Sequence, residues 1–397
     1  MSAAKRSIAT TDTPQIAKGH LLGRPVTIVG GGIGGLTAAL CCARHGARVV
    51  VHERAAAFTD IGAGVQITPN GAVVLAALGL GAALDRVAVR AQAVCPTDAL
   101  SGRRLARFDL TKLPGQAYRF IHRADLIAVL ASACARAGVD LRLGSSFGPE
   151  IDHDGLLIGA DGLHSMLRPL LNGPETPFFT GQVAWRAVVR AACPPEARIW
   201  LAPGRHVVTY PLTGGMLNIV AVQEQSDWAA EGWSHADDPQ RLRAAFADTC
   251  PVLRGLLAQV AETRKWGLFR HQVAEHWHGD GMALLGDAAH PTLPFLAQGA
   301  NLAIEDAWVL ASCLDRGLPL KTYQTLRRNR VIRAVEAANA NARNYHLSGS
   351  RRFVAHTGLR VIGAVAPGAF LRRMDWLYGR DVTRDWGMLL RPAGEVA

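Results

Sequence analysis

Pro25-Val26-Thr27-Ile28-Val29-Gly30-Gly31-Gly32-Ile33-Gly34-Gly35 is the stretch that decides the fold. Its first five residues form a short, β-branched apolar run, as expected of a strand buried on both faces. The glycines follow at once. Leu36, Ala39, Leu40 and Ala43 then recur at helical spacing as far as Gly46, a helix C-cap. Val49-Val50-Val51 reads as the next strand. Gly30, Gly32 and Gly35 fit G-x-G-x-x-G at the loop of this strand–helix–strand unit, with Gly34 as a further small residue beside them. In such a loop the first glycine permits the tight turn. The second lets backbone approach a pyrophosphate, and the third lets helix pack on strand. The pyrophosphate sits on the free N–H groups and positive end of the helix. Glu53 closes the second strand, the place where a carboxylate accepts the ribose hydroxyls of an adenosine. Strand, loop, helix and acid in register point to a bound dinucleotide rather than a bare glycine turn. They do not separate FAD from NAD.

Outward from this unit, Thr68–Leu84 has an alanine-rich helical pattern and 105–118 looks extended or irregular. Arg123 to about Ala137 is a helix, Asp140–Leu143 a strand and Leu156–Ile158 another short buried strand. The character then changes. Val183, Trp185, Ala187 and Val189 alternate with Arg186, Val188 and Arg190, a strand with one face covered. His206–Leu212 and Met216–Gln223 flank Thr213-Gly214-Gly215, a hairpin signature. Asp238-Pro239 opens a helix as N-cap and first helical residue. Ala283–Leu285 returns to a buried strand, and helices run from Gly299 onward, with Trp376, Tyr378 and Trp386 docking the tail. This pattern predicts an α/β protein: a discontinuous nucleotide-binding domain (25–95, 118–172 and 268–335) with an inserted antiparallel β-sheet domain (96–117 and 173–267) and a C-terminal helical segment (336–397).

The 397 residues exceed one ordinary core, and 49% apolar with 19% charged residues is a globular composition. The net charge of +11 rests mainly on arginine. Binding to nucleic acid requires clustered charge interleaved with aromatics and a matching motif; basic residues thicken toward the C-terminus, but the motifs are missing, so no such binding is expected. Arg327, Arg328, Arg330, Arg333, Arg351 and Arg352 read as solvated helix faces, and a positive field would attract nucleotides and acidic aromatics. Seven scattered cysteines without a CxxC pair predict reduced thiols in a cytoplasmic protein, with neither disulfide framework nor metal site. The most apolar stretch, Val26–Val51, is interrupted by six glycines and by Arg44, His45 and Arg48, so no membrane span is expected. Residues 1–24 carry no signal-peptide core and read as a disordered extension. A monomer or homodimer is expected.

Two more signatures follow buried strands. Leu156-Leu157-Ile158-Gly159-Ala160-Asp161-Gly162-Leu163-His164-Ser165-Met166-Leu167-Arg168 gives D-G-x-x-S-x-x-R, and Leu284-Leu285-Gly286-Asp287-Ala288-Ala289-His290-Pro291-Thr292-Leu293-Pro294 gives G-D-A-A-H-x-x-x-P. With the N-terminal loop they resemble the class A FAD-dependent aromatic hydroxylases, and within them the salicylate hydroxylase and 3-hydroxybenzoate 6-hydroxylase group. The likeness runs from about residue 25 to the end, and includes Phe179–Arg186, Trp266-Gly267-Leu268 and Gly299–Ala307. It implies a Rossmann-like FAD domain of the p-hydroxybenzoate hydroxylase type and a monooxygenase that hydroxylates a phenolic acid with O2, through a flavin hydroperoxide. NADH or NADPH would bind transiently, without a domain of its own. It further implies that Asp161 and Arg123 lie near the FAD. The residues themselves leave a strand-end turn and a solvated helix-start arginine as alternatives. Asp287 at a strand end suits a ribityl hydroxyl, with Gly286 beside it, and Pro294 would line the flavin face. The helix start at Gly299, Ala300 and Asn301 would aim its N–H groups at the ring edge. One departure stands out. Only the short run 145–156 lies where relatives place a small β-meander.

For catalysis, His206 on the expected cavity strand is the candidate base for the phenol proton, although an ordinary strand histidine fits the same pattern. Gln298 is a candidate for orienting the phenolic oxygen, Arg186 or Arg205 for meeting a substrate carboxylate. His290 reads as structural, and Glu305-Asp306 as a helix face rather than a general acid/base dyad. Related hydroxylases of urate, nicotinate-type heterocycles or polyketides, or a non-catalytic flavin-binding regulator or redox partner, are alternative functions.

Overall fold

The computed structural model describes residues 19–58, 64–113, 117–148, 155–226 and 235–384. Strand Pro25–Val29 pairs in parallel with Arg48–Glu53 on one side and Leu156–Gly159 on the other. These three are the middle of a six-stranded sheet ordered His278–Gly279, Met282–Leu284, Leu156–Gly159, Pro25–Val29, Arg48–Glu53, Asp140–Leu143. Among the described residues its one antiparallel pair joins His278–Gly279 to Met282–Leu284. Helices Ile33–Arg44, Arg123–Arg136 and Gly299–Asp315 pack around this sheet, and their buried residues form one apolar cluster with the strands. The α/β architecture inferred from the N-terminal strand–helix–strand unit is thus the observed one.

The alternating strand runs further than expected, Phe178–Arg190, with its register broken between Phe179 and Val183. It lies in an eight-stranded sheet ordered His235–Asp237, Thr263–Arg270, Phe178–Arg190, Met216–Glu224, Arg205–Leu212, Glu196–Ala202, Ala93–Asp98, Phe108–Asp109. The sheet is antiparallel except where Ala93–Asp98 runs parallel to Glu196–Ala202. Expected boundaries at 95/96 and 267/268 fall inside two of these strands. Period-two alternation gives the sheet two faces. Val183, Trp185, Ala187, Val207, Ile219 and Ala221 pack on Leu242, Leu253 and Leu257 of the helices Pro239–Ala245 and Pro251–Ala258, and on Phe246 at the end of the first. Arg186, His206, Val208, Tyr210, Val220 and Val222 face the opposite way and line a cavity. A third, three-stranded sheet (Gly64–Ile67, Arg119–His122, Ala88–Arg90) bridges the two.

Several expectations need correction. Residues 19–24 are not part of a disordered extension: they form a turn anchored by buried Leu21 and by His20 N–H donating to the Asp315 carbonyl, with His20, Leu22, Gly23 and Arg24 exposed. Residues 1–18 lie outside the described residues, as do Trp386 and 149–154 of the short segment. The helix read at 68–84 is two, Pro69–Ala77 and Gly81–Val87, broken at Gly79 with φ +74°. Glu305 and Asp306 are fully buried. So is Arg327, and Arg330 is nearly so. Arg327 spans both acids, from Nε to Asp306 Oδ1 at 2.7 Å and from Nη1 to Glu305 Oε2 at 2.5 Å. Arg330 grips Glu305 a second time, and His290 Nε2 meets Asp306 Oδ2. Among the described residues no cysteine is disulfide-bonded, no single helix is long and apolar enough to cross a membrane, and no cluster suits a metal.

Candidate active site

The glycine loop is shaped by what touches it. Gly30 has φ +105°, and a Cβ there would sit 2.3 Å from the Ala160 carbonyl oxygen, so first and second motifs abut through bare backbone. A Cβ on Gly35 would lie 1.9 Å from the Gly30 carbonyl oxygen, which is the close packing of helix on strand that the third glycine allows. Gly34 abuts Leu285 and Ala303, bringing in the third motif and the helix behind it. At Gly32 a Cβ would meet nothing within 4 Å. It faces a cavity of about 1180 Å³.

That cavity joins the three motifs. Gly32, Ile33 and Gly34 line it from the first, Ala160 and Gly162 from the second, and Gly286, Asp287 and Pro294 from the third. Arg123, at the start of its helix, lines it too. Two helix N-termini aim at it: that of Ile33–Arg44, and that of Gly299–Asp315 through Gly299 and Ala300. The first N–H groups of each have no intrahelical partner, so each end is an anion site. The second is preceded by Ala297 at φ 54°, the only non-glycine residue with positive φ among the described residues.

The acids divide by role. Glu53 stands beside the glycine turn, accepting from Gly31 N–H (2.7 Å) and Ala55 N–H (2.8 Å), with lone pairs left for a ribose. Asp161 uses Oδ2 to cap the following turn, accepting from Met166 and Leu167 N–H, while its buried Oδ1 has no partner. Arg168 of the same motif bonds the Gln272 carbonyl and Glu175, and so ties this turn to the segment before the third motif. Asp287 makes no hydrogen bond with its carboxylate among the described residues. Burial pushes that carboxyl above its usual range, opposed by the nearby charges of His290, Arg123 and His271. A cavity-wall carboxylate without a donor is a place for a ligand hydroxyl. The two helix N-termini, the open backbone at Gly32 and the cavity-wall Asp287 together fit FAD.

Asp287 also carries a test. A carboxyl whose value is raised on folding costs stability above that raised value, and the cost vanishes as pH falls below its ordinary value of 3.8. Asp287→Asn is therefore expected to raise the melting temperature of flavin-free protein at neutral pH by roughly 1–3 °C, with the gain gone in acid, while weakening FAD about tenfold. Thermal melts across pH and a flavin titration check both signs.

Two expected site residues are otherwise engaged. Gln298 donates from Nε2 to Thr68 Oγ1 (3.1 Å) and accepts at Oε1 from Asn70 (3.1 Å). Gln298 lines the cavity, and its amide is tied to the start of the helix Pro69–Ala77. Asn301 likewise accepts from Thr68 N–H and donates to the Gln66 and Ala297 carbonyls, so only its backbone serves the helix end. Arg205 points away from the cavity, bonded to Asp248 and the Ala245 carbonyl. Arg186 lines the cavity, stacked over Trp266 at 4.7 Å. His206 lines it as well, 2% exposed, against Phe295 of the Pro294–Leu296 turn and Tyr345.

Sequence reasoning missed His346. Its Nε2 lies 2.8 Å from His206 Nδ1, although the two stand far apart along the chain, and no local pattern announces such a pair.

The FAD binding domain family matches residues 24–155 and 150–338, two pieces that meet at the short segment. A 3-amino-4-hydroxybenzoate 2-monooxygenase of Streptomyces platensis is 36% identical over 389 residues, covering 89% of this chain and 95% of that protein. A 3-hydroxybenzoate 6-hydroxylase of Klebsiella oxytoca is 32% identical over 391 residues, covering 89% and 96%. Among solved structures, a salicylate hydroxylase substrate complex superposes with a TM-score of 0.75 at 21% identity, covering 94% of this chain and 99% of that one. Klebsiella pneumoniae HpxO complexed with FAD and uric acid gives 0.74 at 24% identity, covering 85% and 93%.

Proposed function

Because this chain belongs to the FAD binding domain family, we propose that it is an FAD-dependent monooxygenase hydroxylating a phenolic aromatic acid at the expense of NADH or NADPH and O2. The observation that carries this reading is the convergence of the three motifs, with two helix N-termini and Asp287, on one cavity whose far wall is the eight-stranded sheet. Bound flavin supplies the redox chemistry, taking reducing equivalents from the nicotinamide and delivering one atom of O2.

The chain's own groups do the rest. Gly30–Gly35, Glu53, Arg123, Asp161, Gly286 and Asp287 hold the cofactor, and Pro294 stiffens the turn beside it. The N–H groups at Gly299, Ala300 and Asn301 favour negative charge at the ring edge. The six-stranded sheet carries the FAD, and the eight-stranded sheet carries the substrate. Val208, Tyr210, Val220 and Val222 form an apolar wall that excludes water, and Arg186 offers a cation to a substrate carboxylate. His206 Nε2 accepts the phenol proton, which makes the ring a better nucleophile. The unpaired thiols suit a cytoplasmic protein.

Purified protein is expected to carry or take up FAD. Its NADH or NADPH oxidation should rise at least about tenfold with one of 3-amino-4-hydroxybenzoate, 3-hydroxybenzoate, salicylate, 6-hydroxynicotinate or urate, with one atom from labelled O2 in the product. Peroxide as the sole product with every aromatic overturns the reading.

A further inference from the structure

We propose that His206, His346 and Glu224 form a proton relay that carries the phenol proton from the cavity wall to solvent. The proposal rests on the hydroxylase reading above and assigns roles to two residues outside the cavity wall. His206 Nδ1 lies 2.8 Å from His346 Nε2, and His346 Nδ1 lies 3.0 Å from Glu224 Oε1. The line ends in solvent. His206 is 2% exposed, the His346 side chain also 2%, and the Glu224 side chain 57%. With Nδ1 turned to His346, His206 keeps Nε2 for the cavity, where it makes no hydrogen bond among the described residues.

Burial disfavours a charged imidazole at His206, and the neighbouring His346 adds to that; a proton parked there would be costly. A concerted passage avoids the charge. The phenol O–H bond breaks as His206 Nε2 takes the proton. His206 Nδ1–H passes to His346 Nε2, and His346 Nδ1–H passes to Glu224 Oε1, which releases it to water. Each ring ends neutral in its other tautomer, and the substrate alone holds the new negative charge.

His346 Nδ1 is contacted by two partners of opposite character. The Glu224 carboxylate accepts from it before transfer, and Gln182 Nε2, at 3.3 Å, donates to it afterwards. Backbone fixes the line: Gly204 N–H donates to the His346 carbonyl, and Glu224 N–H donates to the Gly204 carbonyl. A histidine pair kept only for packing has no use for an exposed acid at its end.

The experiment mixes FAD-loaded enzyme with 3-amino-4-hydroxybenzoate, without nicotinamide, at about pH 7, where a free phenol of pKa about 10 is protonated. Stopped-flow absorbance reads the rate of phenolate formation. His346→Gln keeps a hydrogen-bonding side chain but cannot exchange tautomers. It is expected to slow the step about 100-fold with substrate and FAD affinities unchanged. Glu224→Ala, at the exposed end, should slow it about tenfold and recover with added imidazole, whereas His346→Gln should not recover. Wild-type rates in both variants, or slowing in Glu224→Ala that imidazole leaves untouched, overturn the relay alone. A wild-type enzyme that forms no phenolate and hydroxylates no member of the aromatic panel removes the hydroxylase reading and the relay with it.

Discussion

Arg327→Ala is expected to destabilise the fold by about 3–5 kcal/mol, the scale for stripping one partner from a buried ion pair. Arg327 is 1% exposed and Glu305 and Asp306 are 0% exposed, so the two carboxylates would lose their shared counter-charge with no water to replace it. Arg330 would still cover Glu305, which leaves Asp306 with His290 as the exposed fault. The pH dependence has a definite sign. Burial pushes the Asp306 carboxyl up, but His290 and Arg327 outweigh it and hold it at about 2, below the ordinary 3.8. A depressed carboxylate lends stability that is complete above its ordinary value and lost as pH falls toward 2. The gap between wild type and Arg327→Ala should therefore be widest at neutral pH and shrink in acid. Denaturant unfolding at several pH values measures it, and a gap that stays constant down to strong acid contradicts the assignment. Arg327→Lys should recover only part, since one ammonium cannot span both acids as a guanidinium does.

The second large effect separates two glycines of the same loop. Gly32→Val should leave the flavin-free fold within about 0.5 kcal/mol of wild type, because a Cβ there meets nothing within 4 Å and the position opens on the cavity. It should nonetheless weaken FAD by at least about 100-fold, since the pyrophosphate needs that backbone bare. Gly35→Ala should fail on both counts. Its Cβ would press on the Gly30 carbonyl at 1.9 Å, forcing helix from strand at a cost of about 1–3 kcal/mol or more. Flavin fluorescence titration with thermal melts reads the two separately. Full FAD affinity in Gly32→Val would remove the pyrophosphate from the loop.

What the sequence discloses follows the range of the interactions. The strand–glycine–helix unit is legible because the contacts within it join residues close along the chain and leave a spacing pattern. The hairpin at Thr213–Gly215 is legible for the same reason, and the break at Gly79 is present as a glycine inside a helical pattern. The meeting of Gly32, Ala160 and Gly286 on one cavity comes from the resemblance, since nothing local says that three strand ends share it. The buried charges are not legible, because Glu305 and Arg327 sit on different helices and meet only once the chain is folded. Gln298 and Asn301 can be placed along the chain, but their side chains turn toward Thr68, a choice set by packing between segments remote in sequence. His346 escapes for that reason too.

Ala297 has a further consequence. A left-handed backbone at a residue with a side chain stores roughly 1–2 kcal/mol, and it persists here because Asn301 Nδ2 holds the Ala297 carbonyl at 2.7 Å. The tension is set when the chain folds, before any guest arrives. The helix that follows is thereby pinned in direction, so that its dipole meets incoming negative charge without having to swing. An enzyme built this way keeps its reorganisation energy low by spending conformational freedom in advance.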